Sequence, residues 1–187
     1  TNFKGFRNKD IGGPNNRAYN IKDKNDWFHE NVLKQCAEAI YFQDWNNYYK
    51  VHITKSVPPP VFELKELWGN YQKQHEFNPI HNHTGLYSFV VFMKIPTHWK
   101  EQHALLISAH SNAPHASDFQ FVWSKKDSEF CKFCYFHLSP EDEGRMLFFP
   151  ARLHHQVYPF YGTEEERITV SGNIDFLFHP QEEQCNG

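Results

Sequence analysis

No stretch of this chain is apolar over the roughly 18 residues that a membrane-spanning helix needs, so no membrane partner is expected. Basic charge is also in short supply. Nineteen Lys and Arg stand against 22 Asp and Glu, for a formal net charge of −3. No long basic stripe interrupts the mixture, so a nucleic-acid groove built on bulk charge is not expected. There is no internal repeat and no low-complexity tract. The opening TNFKGFRNKDIGGPNN is polar and lacks the apolar core of a secretion signal. The expectation is a cytoplasmic protein with reduced thiols and, since no initiator Met is present, a trimmed chain. Cysteine is limited to Cys36, Cys131, Cys134 and Cys185. Cys131 and Cys134 form one CxxC, half of a zinc-ribbon site, with no second pair at matching spacing. They read as two small residues on a β-hairpin.

What the chain does have is length for one domain, at 187 residues, and enough of it to bury a core. Aromatic residues reach 17%, with 18 Phe, and there are 13 His. That many imidazoles raises the question of a metal.

Residues 1–25 read as an irregular N-terminal arm broken by Gly12, Gly13 and Pro14. From Asp26 to Trp45, apolar residues recur at Val32, Leu33, Cys36, Ala37 and Ile40, which is helical spacing. Asn25 or Asp26 is suited to cap that helix. After it the pattern turns to strands: 48–54, 62–71, 86–95, 104–110, 119–123, 132–138, 145–150, 155–160 and 167–178. Many short strands behind one helix suggest a β-sandwich or jelly roll. Residues 26–187, helix included, are expected to form a single domain.

The histidines fall into a pattern on these strands. PIHNHTG holds His81 and His83, two apart, so both side chains point to one strand face and can reach one ion. The alternative is a polar loop with idle histidines. FFPARLHHQVYPF holds His154 and His155, which point to opposite faces. Leu153, His155 and Val157 share the apolar face, where an imidazole needs a partner. A metal or a buried backbone group would serve. Arg167 opens the strand RITVSGN, twelve residues after His155. A guanidinium there is costly to bury without an anion, and its planar fork suits a carboxylate. The neighbouring Glu164, Glu165 and Glu166 offer the alternative of a surface ion pair.

Together, ELWGNYQKQHEFNPIHNHTGLYSFVVFMKIP, EGRMLFFPARLHHQVYPF and ERITVSGNI resemble the Fe(II)- and 2-oxoglutarate-dependent oxygenases. That family's motif is HxD, then a distal His, followed on a later strand by Arg or Lys. The chain looks most like the small branch seen in marine bacteria and bacteriophages, related to the prolyl-hydroxylase type. The resemblance covers residues 62–176. It implies a mainly β, double-stranded β-helix (jelly roll, cupin-like) with the N-terminal helix packed on the sheet. It implies Fe(II) held by His81, His83 and His155, 2-oxoglutarate as cosubstrate, and O2. Arg167 would take the distal carboxylate of 2-oxoglutarate, with Thr169 on the same strand face. Tyr71 stands where the prolyl-hydroxylase type often offers a tyrosine. Asn70 beside it points the other way, so one of the two should face inward. Ser88 and Lys94 are weaker cosubstrate candidates.

The departure is His83, where the commoner motif has Asp. The phage-like branch also tends to show HxH. An all-His site carries one more positive charge, which dianionic 2-oxoglutarate would offset. The implied reaction converts 2-oxoglutarate to succinate and CO2 and hydroxylates a C–H bond, by preference of a prolyl or other residue in a protein or peptide. If phage-encoded, the enzyme would work in the host cytoplasm. The stretch from Ser111 to His137 is expected to frame the opening. Two other readings fit parts of the pattern. A cupin-type metal dioxygenase shares the jelly roll and the His spacing but has no need of Arg167, and the Glu that follows its HxH is Tyr87 or Ser88 here. A non-enzymatic jelly-roll module would need no metal chemistry.

Overall fold

A computed structural model of the chain describes residues 17–49, 60–124 and 130–177. The strands among them are β1 (Ala18–Asn20), β2 (Phe62–Gln72), β3 (Asn78–His81), β4 (Tyr87–Lys94), β5 (Phe119–Ser124), β6 (Cys131–Phe136), β7 (Met146–Pro150), β8 (His154–Val157) and β9 (Arg167–Phe176). They form two antiparallel sheets, one in the order β1-β2-β9-β4-β7 and the other in the order β3-β8-β5-β6. The chain crosses repeatedly between them, which makes the fold a mainly β jelly roll.

β4 shows why its sequence reads as an unbroken apolar run. Val90 and Phe92 face the second sheet and pack with its Phe119 and Phe121, with Leu138 just past β6 and with Phe149 of the adjoining β7. Tyr87 and Phe89 face the other way and pack with Leu33, Ala37, Phe62 and Ile174. A strand covered on both sides has no polar face to alternate with.

The cover on that outer face is the expected N-terminal helix. It starts with a 3₁₀ turn at Lys24–Asp26, widens to a π-helical turn at His29–Leu33, and continues as α1 (Lys34–Tyr49). Its cap is Asp23, not Asn25 or Asp26. The Asp23 carboxylate accepts from the backbone N–H groups of Phe28 and His29, at 3.1 and 2.8 Å. Asn25 and Asp26 instead take positive φ within the turn.

Three further expectations meet the structure differently. Residues 18–20 of the supposed irregular arm pair with β2 as β1. Residues 104–110 form no strand: α2 (Trp99–Ala104), capped by His98, ends there, and α3 (Leu106–Ala109) follows after the extended Leu105. Leu106 and Ile107 are exposed there, so their apolar density does not mark a buried strand. Of the strand expected at 48–54, residues 48 and 49 end α1 and the rest lie outside the described residues. Cys131 and Cys134 sit on β6, paired across to Ser124 and Phe121. Three residues apart on a strand, they face opposite sides.

Candidate active site

β3 and β8 are neighbours, and their register sets His81 directly opposite His155. Side chains in such cross-strand pairs stand close together, and the two ring centroids are 4.2 Å apart. His83 lies just beyond β3, held by its backbone N–H donating to the Ala151 carbonyl at 2.8 Å. Gly85, at φ 94, turns the chain from there into β4. The His83 ring is 5.2 Å from His81 and 5.1 Å from His155, and Trp68 packs against it at 5.8 Å. One nitrogen from each ring falls within 4.8 Å of the other two.

Hydrogen bonding decides which nitrogens those are in two of the rings. Nδ1 of His81 lies 2.6 Å from the Pro79 carbonyl, and Nδ1 of His155 lies 3.1 Å from the Leu153 carbonyl. A carbonyl only accepts, so each Nδ1 carries the proton and each Nε2 keeps a lone pair. Burial holds all three rings neutral. It lowers the pKa of His81, takes His83 down to about 4 and His155 down to about 3, with the neighbouring imidazoles adding to the effect. Three converging neutral nitrogen donors, largely removed from water, suit a divalent transition metal.

A cavity runs from this triad between the sheets. With the space at its mouth it measures about 670 Å³. Phe119, Phe149, Val90 and Phe92 make its apolar walls. Its polar lining comes from alternate residues of β2 and β9, where Gln72 is registered with Arg167, Asn70 with Thr169 and Trp68 with Ser171. No Asp or Glu is among the lining residues.

Arg167 is 1% exposed. Its Nη2 donates to the Ser117 hydroxyl and carbonyl at 2.6 and 3.0 Å, and Nη1 to the Gln72 side-chain oxygen at 3.3 Å. The Phe160 ring lies 4.9 Å beneath the guanidinium. Nε is buried without a partner. Burial pulls the pKa down to about 10, against the pull of Asp118. None of the three neighbouring glutamates is its counter-ion. Glu166 pairs with Arg17, Glu165 with Lys94, and Glu164 accepts from Gln74. A buried arginine left with only neutral hydrogen-bond partners among the described residues, one N–H spare, and a cavity in front of it fits a carboxylate ligand.

The structure brings His81, His83, His155, Arg167, Asn70 and Thr169 to one cavity. It does not bring the other candidates there. Tyr71 follows the strand alternation to the opposite face of β2, edge-on to Tyr19 at 5.6 Å. Ser88 is buried, and its hydroxyl donates to Asn173 Oδ1 at 2.7 Å. Lys94 is held by Glu165 at 2.8 Å. His154 points outward and meets Asn82. The residues that sequence reasoning missed are Gln72, Ser117 and Asn78. The β2 alternation that admits Asn70 also admits Gln72. Asn78 Nδ2 lies 3.4 Å from His81 Nε2. Nothing local in the sequence marks Ser117, which reaches Arg167 from a loop at φ 74.

Residues 66–173, more than half of the chain, match the family described as "Putative 2OG-Fe(II) oxygenase", and the chain belongs to that family. The match spans the triad, the cavity and Arg167. No curated protein matches the chain. Among solved structures, a Pseudomonas putida prolyl-4-hydroxylase is similar at 13% identity and TM-score 0.39, over 79% of this chain and 67% of that one. A cupin-2 domain protein from Shewanella frigidimarina is similar at 11% identity and TM-score 0.29, over 71% and 92%. A cupin domain from Bordetella pertussis is similar at 11% identity and TM-score 0.30, over 67% and 100%.

Proposed function

We propose that the protein is an Fe(II)- and 2-oxoglutarate-dependent dioxygenase that hydroxylates a C–H bond of a protein or peptide residue, prolyl by preference. The observation that carries the reading is the pairing within one cavity of three neutral imidazoles, one buried and two half-buried, and a buried arginine that has no carboxylate partner among the described residues. His81, His83 and His155 would hold the iron, and Arg167 would hold the distal carboxylate of 2-oxoglutarate. When bound, iron and cosubstrate supply the oxidation, which consumes 2-oxoglutarate and O2 and releases succinate and CO2.

The chain's own contribution is placement and shielding. Ser117 and Gln72 fix the Arg167 fork before any ligand arrives, so little ordering remains to be done on binding. Thr169 and Asn70 add a hydroxyl and an amide to the same wall. The apolar wall residues exclude water, which strengthens every charge interaction inside. The all-His ligand set and Arg167 are both uncompensated by acidic lining, and a dianionic cosubstrate offsets that excess. Arg167 also separates this reading from a metal-dependent cupin reaction without 2-oxoglutarate, which leaves the buried guanidinium unexplained.

The peptide preference rests on the prolyl-hydroxylase character of the sequence resemblance. The same resemblance, to a marine bacterial and phage branch, supports work in a host cytoplasm. Among the described residues no helix is long and apolar enough to cross a membrane. The test is aerobic incubation with Fe(II) and 2-oxoglutarate, followed by a peptide-library screen by mass spectrometry. Succinate release and a peptide gaining one oxygen atom are expected. Absence of succinate from protein shown to bind both iron and 2-oxoglutarate would overturn the proposal.

A further inference from the structure

We propose a second metal site, formed by His103, Asp118 and His137, that takes Zn(II) independently of the iron site. None of the three lines the cavity. They come from separate segments: His103 from α2, Asp118 from the approach to β5, and His137 from the exit of β6. His103 Nε2 and His137 Nδ1 converge on the same oxygen, Asp118 Oδ1, at 3.1 and 3.0 Å. All three ligand atoms lie within 4.8 Å of one another. Ligands at about 2.0–2.1 Å from a tetrahedral zinc are roughly 3.3–3.4 Å apart, so the two His–Asp contacts need to open by only a few tenths of an ångström.

The surroundings have the features of a built site. The Asp118 side chain is 0% exposed, and no Lys or Arg forms a salt bridge with it among the described residues. Arg167 is near enough to act on it electrostatically, but donates to Ser117 instead. Three imidazoles satisfy the hydrogen bonding of this buried carboxylate, and a dication held among them would supply a fixed counter-charge that no Lys or Arg pairs with it to provide. His115 Nδ1 holds the other oxygen, Oδ2, at 3.0 Å. A hydrogen bond to the spare oxygen of a ligating carboxylate is how metal ligands are commonly oriented. The rings are walled in as well. Trp99 stacks on His137 at 4.8 Å and meets His103 edge-on at 5.2 Å, while Tyr135 stacks on His115 at 3.8 Å. Two imidazoles and a carboxylate suit zinc or a neighbouring first-row ion. The His137 side chain is 42% exposed, which leaves a way in from solvent and room for a water as fourth ligand.

The test is a metal count on metal-free protein equilibrated with Zn(II) and desalted. Wild type should retain two equivalents, His155→Ala one, His137→Ala one, and the double variant none. His137 is the residue of choice because it is the most exposed of the three, and Asp118→Asn provides a second variant of matched shape. Co(II) gives the location. In the His155→Ala background it should quench Trp99 fluorescence, and adding His137→Ala should abolish the quenching. One equivalent in wild type that His155→Ala removes, or two equivalents undiminished by both His137→Ala and Asp118→Asn, would overturn the assignment.

Discussion

The three cavity histidines differ in how firmly each is oriented. His81 and His155 are each tied through Nδ1 to a carbonyl two residues back, whereas His83 is placed by its backbone bond to Ala151 and by the Trp68 ring. His83 is also where the family's motif carries Asp. His83→Asp should therefore still bind Fe(II) and 2-oxoglutarate, and calorimetry on the variant checks this. Iron affinity unchanged to within error would mean that the residue is not a ligand. Proton competition gives a second expectation. A histidine whose folded pKa lies below its unfolded value of 6.5 costs stability once the unfolded chain begins to take up the proton and the folded one does not. For His83 and His155 that loss begins as pH falls below about 6.5 and is complete near their folded values of about 4 and 3. The urea midpoint of metal-free protein should fall between pH 7 and pH 5, and it should fall less in His83→Phe. Equal falls in the two proteins would contradict the burial argument.

The strands explain both what the sequence discloses and what it conceals. β9 carries Arg167, Thr169 and Ser171 along one face, and this alternation is plain in RITVSGN. The same rule puts Asn70 and Gln72 inward and Tyr71 outward, but only once the phase of β2 is known. Sequence alone leaves that phase open because Asn70 and Tyr71 each have a plausible role. The segment at 104–110 misleads for another reason. Its apolar residues are as dense as a strand's, yet Leu106 and Ile107 sit on the exposed side of a short helix. β9 also holds a position where packing forbids a side chain. A Cβ at Gly172 would lie 2.4 Å from the Glu66 carbonyl oxygen and 2.7 Å from the Phe89 ring. Gly172→Ala should destabilise the protein by about 1–3 kcal/mol, the usual cost of overpacking. Equilibrium urea unfolding reads this directly. The helix cover makes a matching claim: Leu33, wholly buried, packs α1 and its leading turn onto the sheet. Leu33→Ala should cost about 2–5 kcal/mol by the same measurement.

At the scale of the molecule, the jelly roll gathers residues that lie far apart in the chain into two clusters, and only one was legible beforehand. His81 and His155 stand on paired strands, and His83, just past the end of β3, keeps the two-residue spacing from His81, so their convergence can be read without coordinates. His103, His115, Asp118 and His137 come from a short helix, a loop and two strand ends, where no period links them. The first cluster, with Arg167, is the centre of the functional account. Its most direct test is an anaerobic titration of the Fe(II) protein with 2-oxoglutarate, following the metal-to-ligand charge-transfer absorption. Wild type should develop the band, and His155→Ala should not. Arg167→Ala should keep its metal but weaken the dissociation constant by well over a hundredfold, corresponding to the about 3–5 kcal/mol typical of a buried charge pair cut on one side. A band that appears in the Arg167→Ala protein with the wild-type dissociation constant would contradict the account.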